Sequence, residues 1–127
     1  VDDVVFGVVE RPVYTRRDAR GVFDELITTG RWESVIAGTM TKGAVMGHHY
    51  HDHTVVALFL LEGRAHIVTE DVQTKTRHEY DIHGGQGFVF RPSEARAIHY
   101  LEDARFLLLK SHRYDPAAPD LIDYRVG

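Results

Sequence analysis

The sequence predicts an all-β domain built as a sandwich or barrel. Runs of roughly five to eight residues rich in β-branched and aromatic side chains recur about every ten residues, with Gly, Pro or Asp turns between them. Only residues 17–30 could be extended into a helical segment. The chain has 127 residues, 43% hydrophobic and 27% charged, an ordinary balance for one domain spanning 1–127 with a buried core. Its formal charge is -4. That charge leaves no electrostatic footprint for nucleic acid, and no Lys/Arg run is long enough to hold an anionic membrane. A small molecule is the expected partner. Cysteine is absent, which excludes disulfides, thiolate metal sites and a cysteine nucleophile. No apolar run approaches the ~18 residues of a membrane span and no signal-peptide pattern opens the chain, so the expected location is the cytoplasm.

Taken in order, residues 4–10 are a β-branched run ending before Pro12, and residues 12–15 continue extended, as an edge strand or arm. Residues 16–21, rich in arginine and closed by Gly21, read as a charged turn, and residues 22–27 as a short strand. Residues 32–40 are strand-like, and Thr41, Lys42 and Gly43 turn the chain toward a histidine-rich stretch. The apolar run 54–61 ends in Glu62 and Gly63. Residues 64–70 and 76–82 form a hairpin around the connection 71–75. After a turn at 84–87 come Phe88, Val89 and Phe90, then the strand-like 95–101 and the apolar 106–109. A Pro-rich tail, 114–120, leads to a short terminal segment at 121–124. Gly84 to Gly87 are no phosphate loop, because neither a helix pattern nor Lys-Ser/Thr follows.

The stretch that carries chemistry is 43–63. His48, His49, His51 and His53 fall within six residues, directly before the apolar run. On an extended chain side chains alternate, so His49, His51 and His53 share one face while His48 and Tyr50 take the other. Convergent imidazoles either hold a transition metal as neutral ligands or move protons near neutral pH. His66, His78, His83 and His112 are scattered without a partner at ligand spacing and read as surface or structural residues. Asp24 and Glu25 are adjacent, so they face opposite ways and make no acid/base pair.

The spacing Gly43, five residues, His49-Tyr50-His51, four residues, position 56, six residues, Gly63 resembles the first motif of the cupin superfamily, which implies a jelly-roll barrel of the RmlC-like type. Val56 stands where that motif has glutamate. In the second motif Pro92 matches, while Glu94, Ala97 and Leu101 replace glycine, histidine and asparagine. His99 lies two residues beyond the usual histidine, a spacing that keeps one strand face. Within the cupins, Asp18-Ala19-Arg20-Gly21 followed by Phe23 resembles the D-x-R-G segment of deoxysugar epimerases, where the arginine meets the nucleotide phosphate. Residues 47–63 and the Asp115-Pro116 to Pro119-Asp120 ending resemble the C-terminal cupin domain of capsular-polysaccharide reductase/epimerases. The histidine pair resembles that of dTDP-4-keto-6-deoxyhexose 3,4-ketoisomerases.

The resemblance implies an isomerase or epimerase acting on a keto-sugar nucleotide. His49 and His51 are the expected acid/base residues, Arg20 a phosphate contact, and Tyr50, Arg96 and Tyr100 substrate-binding wall residues beside His99. A ketone beside a hydroxyl-bearing carbon tautomerises if a base removes the α-proton and an acid protonates the oxygen, which one histidine pair can do without a metal or an organic cofactor. The alternative is a metal-dependent oxygenase or cyclase of secondary metabolism. There His49, His51 and His99 would hold zinc, iron, copper or nickel, ions that suit imidazole better than magnesium or calcium do. A third reading is a non-catalytic ligand-binding cupin. Residues 1–15, as an exposed edge that needs a partner, imply a homodimer.

Overall fold

The computed structural model describes residues 3–127, so the first two residues of the expected arm 1–15 lie outside the described residues. The chain forms β1 (Gly7–Val9), β2 (Tyr14–Asp18), β3 (Gly21–Glu25), β4 (Ser34–Met40), β5 (Val45–Tyr50), β6 (Val56–Glu62), β7 (Arg64–Asp71), β8 (Arg77–His83), β9 (Gly87–Phe90), β10 (Glu94–Tyr100), β11 (Ala104–Lys110) and β12 (Ile122–Asp123). No helix occurs among the described residues. Residues 14–18, partly read as a charged turn, are instead a strand. The turn shrinks to Ala19 and Arg20 because Tyr14 to Asp18 pairs antiparallel with Gly21 to Glu25.

One antiparallel sheet has the order β1-β9-β6-β11-β4, the second β12-β5-β10-β7-β8, and β2-β3 stand apart as a hairpin. Strands adjacent in space are mostly far apart in sequence, as in a jelly roll. The two sheets face each other across the main core. Leu58, Leu60, Phe88, Phe90 and Phe106 from the first sheet meet Ile67, Ile82, Ile98 and Tyr100 from the second. Strand β6 is apolar at successive positions because both its faces are covered. Ala57 and Phe59 pack outward against Phe6, Leu26, Ile27 and Trp32, while Leu58 and Leu60 point inward. The outer face of the second sheet, with Val68, Ala95 and Ala97, is covered by the returning C-terminal segment through Tyr124 and Val126.

Tyr100, Phe106, Ile82 and Ala104 close part of the space between the sheets. Elsewhere the sandwich is open, and there β5, β10 and the starts of β4 and β6 surround a cavity of about 520 Å³.

Candidate active site

The position of the histidine pair is set by a bulge. Ala44, just before β5, and Met46 on it pack into the core, so uninterrupted alternation would turn His48 and Tyr50 inward and His49 and His51 out. The β10 register prevents this: Ala97 pairs with Gly47 but Arg96 with His49, leaving His48 as the extra residue. Gly47 has φ +114° and His48 φ 56°. One inserted residue inverts the facing of everything after it. His49 and His51 therefore line the cavity, and Tyr50 packs on the opposite face against Tyr124, ring centroids 5.8 Å apart. Glycine is required at 47. A Cβ there would lie 2.5 Å from the Arg96 carbonyl oxygen.

The two imidazoles meet edge to face with centroids 5.4 Å apart. Each donates its Nδ1–H to a main-chain carbonyl: His49 to Gly47 at 3.1 Å, His51 to Asp120. That arrangement fixes the tautomer and leaves Nε2 on each ring as a free proton acceptor, without a protein hydrogen bond among the described residues. Burial, reinforced by the nearby Arg96 charge, lowers the pKa of both rings, that of His51 to about 4. Both are neutral bases at physiological pH.

Asp120 holds the loop that follows. Its carboxylate accepts hydrogen bonds from the backbone N–H of Asp52 (2.8 Å), His53 (3.0 Å) and Thr54 (2.8 Å) and from the Thr54 hydroxyl (2.7 Å). Burial raises the pKa of this carboxyl, but the four donors together outweigh that and hold it down at about 2. A charged C-terminal residue thus pins the chain between the end of β5 and the start of β6. The Pro-rich tail gives no periodic signal from which this role could be read, and nothing in its sequence separates Asp120 from Asp115.

Of the remaining expected site residues, the structure brings Arg96 into the cavity wall. It is 2% exposed, stacks 4.3 Å from the centroid of Phe90, and burial lowers its pKa to about 10, so it stays charged. His99 is placed elsewhere. Ile98 faces the core, so His99 turns outward beside His66, centroids 6.5 Å apart. The two-residue offset from position 97 does keep one face, but that face is the outer one here. Tyr100 faces inward yet lies in the core beyond the cavity, its hydroxyl 3.9 Å from Met46 Sδ. Tyr50 is outside, and Arg20 sits in the β2–β3 turn, paired with Asp18 at 2.8 Å and away from the cavity of its own chain.

Sequence reasoning missed the rim. Lys110, His112 and Arg113 line the cavity together with Glu33 and Asp115, and His53, expected on the face of His49 and His51, lines it too. His112 was read as scattered because nothing in the sequence says that β11 delivers it to the same opening as β5.

A divalent metal does not suit this donor set. Among the described residues no three His, Cys, Asp or Glu side chains gather as a metal-holding group. Of the expected ligands only His49 and His51 stand together, since His99 is outside and Val56 is apolar, and the guanidinium of Arg96, without a hydrogen-bond partner among the described residues, lines the same cavity. A cation there repels a second cation.

With the geometry established, comparisons place the chain among known proteins. Capsular polysaccharide assembling protein CapF from Staphylococcus aureus superposes with TM-score 0.68 at 24% identity over 91% of this chain and 35% of its own. This chain therefore spans about a third of that protein's length. QdtA, a sugar 3,4-ketoisomerase from Thermoanaerobacterium thermosaccharolyticum solved with TDP, superposes with TM-score 0.74 at 18% identity over 91% of this chain and 85% of its own. RmlC from Legionella pneumophila, a dTDP-6-deoxy-D-glucose-3,5-epimerase solved with dTDP-4-keto-L-rhamnose, superposes with TM-score 0.72 at 19% identity, covering 87% of this chain and 69% of its own. No curated protein sequence matches the chain. At these identities the structural likeness shows a shared fold, the RmlC-like cupin jelly roll. The polysaccharide biosynthesis C-terminal domain family matches residues 16–122, most of the chain, and the protein belongs to that family.

Proposed function

We propose that this domain isomerises or epimerises a keto-sugar carried on a nucleotide, using His49 and His51 as the proton-transferring pair. The observation that carries the reading is two neutral imidazoles whose Nδ1–H groups are both held by carbonyls, presenting two proton acceptors to one cavity. Such a pair can take the proton from a hydroxyl-bearing carbon beside a ketone. The electrons left behind form an enediolate, and returning the proton to the neighbouring carbon, or to the opposite face of the first, gives the isomer or the epimer. No electron or atom is lost, so no redox partner is needed. Met46, Val56, Ile98 and Leu108 supply apolar walls that keep the imidazoles unprotonated. Lys110 and Arg113 at the rim supply positive charge where a diphosphate would leave the cavity. The Arg20 phosphate contact is not supported within a single chain, because that residue lies outside this cavity.

The solved relatives support the substrate class in so far as QdtA is described as a sugar 3,4-ketoisomerase and RmlC as a dTDP-sugar epimerase. The test is proton exchange. Wild-type protein incubated in D2O with a dTDP-4-keto-6-deoxyhexose should incorporate deuterium next to the carbonyl. His49→Ala and His51→Ala should each lower the rate by about a hundredfold or more while retaining the folded β spectrum. Full exchange in His49→Ala would remove this histidine from the chemistry.

A further inference from the structure

Arg96 is buried to 2% exposure, yet its Nε, Nη1 and Nη2 atoms have no hydrogen-bond partner among the described residues. The Phe90 ring covers one face of the guanidinium, 4.3 Å away, and satisfies none of its N–H donors. Buried charges are ordinarily paired, because desolvation without a partner is strongly unfavourable. Glu94, whose charge acts on Arg96, makes no hydrogen bond to it among the described residues. Glu94 accepts from the Arg91 backbone N–H at 3.2 Å, and Asp120 is occupied by the residue 52–54 loop. The protein therefore holds a cation in an apolar wall, beside two neutral imidazoles, with its counter-ion left to be supplied from the cavity.

A guanidinium is a planar fork that matches two coplanar oxygens sharing a negative charge, and in low-dielectric surroundings that match discriminates strongly against a neutral ligand. We propose that Arg96 is the docking point for a planar oxyanion, either a carboxylate carried by the ligand or the enediolate formed in the reaction, and that it supplies the positive charge otherwise given by a metal. The enediolate source rests on the keto-sugar reading; the carboxylate source does not.

The test is calorimetric titration of the full chain, treated with EDTA, at pH 8 with two matched probe pairs. Benzoate and benzamide differ by a carboxylate charge. Tropolonate and tropone differ by the vicinal oxyanion that imitates an enediolate. Wild type should bind at least one anion tenfold or more tighter than its neutral counterpart. Preference for tropolonate identifies the enediolate source, and preference for benzoate the carboxylate source. Arg96→Met should abolish the preference, and Arg96→Lys, which keeps the charge without the fork, should weaken it severalfold. Arg96→Met should also melt no lower than wild type, because it removes an orphaned charge; a structural role would lower the melting temperature. Equal binding of charged and neutral probes by wild type overturns the proposal without any variant, as does a preference that survives in Arg96→Met. Failure of keto-sugar exchange leaves these binding results standing, and loss of anion preference with exchange intact removes Arg96 alone.

Discussion

At the level of single residues, burial moves the ionisable groups of the cavity away from their ordinary pKa values. His51 is 7% exposed and its pKa falls to about 4 through burial and the Arg96 charge. The sign follows from the two end states. The unfolded imidazole takes up a proton near its ordinary 6.5, whereas the folded one resists until about 4. The stabilisation is thus complete above about pH 6.5, is lost as pH falls from there toward about 4, and changes no further below. For EDTA-treated protein this one residue should cost about 2 kcal/mol of unfolding free energy between pH 8 and pH 5. Denaturant titrations at the two pH values, with His51→Gln as the comparison, check it. The variant should show a correspondingly smaller difference, and an unchanged pH slope would mean that His51 is not held neutral.

Among the elements, the β5 bulge and the Asp120 clamp do the positioning. Gly47→Ala puts a methyl 2.5 Å from the Arg96 carbonyl, at a φ of +114° that alanine adopts only with strain. We expect a loss of about 2–3 kcal/mol in stability and a larger loss in turnover, because relaxing the bulge rotates His49 and His51 out of the cavity. Unfolding curves and exchange rates measured on one preparation separate the two effects. Asp120→Ala leaves three backbone N–H groups and the Thr54 hydroxyl without their acceptor. A loss of about 3 kcal/mol is expected, with faster amide hydrogen exchange at residues 52–54. Protection at those amides equal to that of wild type would show that the carboxylate is not what orders the loop.

For the whole molecule, two features stand out from the closed sandwich. Among the described residues the β2–β3 hairpin pairs only with itself, and it is exposed along both strands, including Tyr14 at 54%, Val22 at 49% and Phe23 at 57%. An isolated two-stranded hairpin is marginal in water, and exposed Tyr14, Val22 and Phe23 on an otherwise charged one offer a partner apolar contacts. We propose that a second copy of the chain covers it, giving the expected homodimer. Light scattering coupled to size exclusion should report twice the chain mass, and Phe23→Glu should shift the protein to monomer. A wild-type monomer at all concentrations tested would remove the proposal. The second feature concerns membranes: among the described residues, no helix is long and apolar enough to cross one.

Much of this architecture was legible in the residues themselves. Periodicity located nearly every strand, because β-branched runs between Gly, Pro and Asp turns have few other ways to bury their faces. The continuous apolar run 54–61 signalled a core strand, and the His-x-His spacing was enough to bring His49 and His51 to one face. Alternation alone could not say which face was the inner one. That depended on the Gly47–His48 bulge, a matter of register between β5 and β10, two strands more than a third of the chain apart in sequence. On β10, the burial of Ile98 in the core sent His99 outward and Arg96 in. Closure of the site by Asp120, His112 and Lys110 likewise depended on which strands meet at one end of the sandwich. Local pattern determined the elements and the identity of the histidine pair, because both rest on neighbours in sequence. Only the tertiary structure decided what surrounds that pair, because burial, an unpaired charge and a carbonyl at hydrogen-bond distance are properties of segments brought together from across the chain.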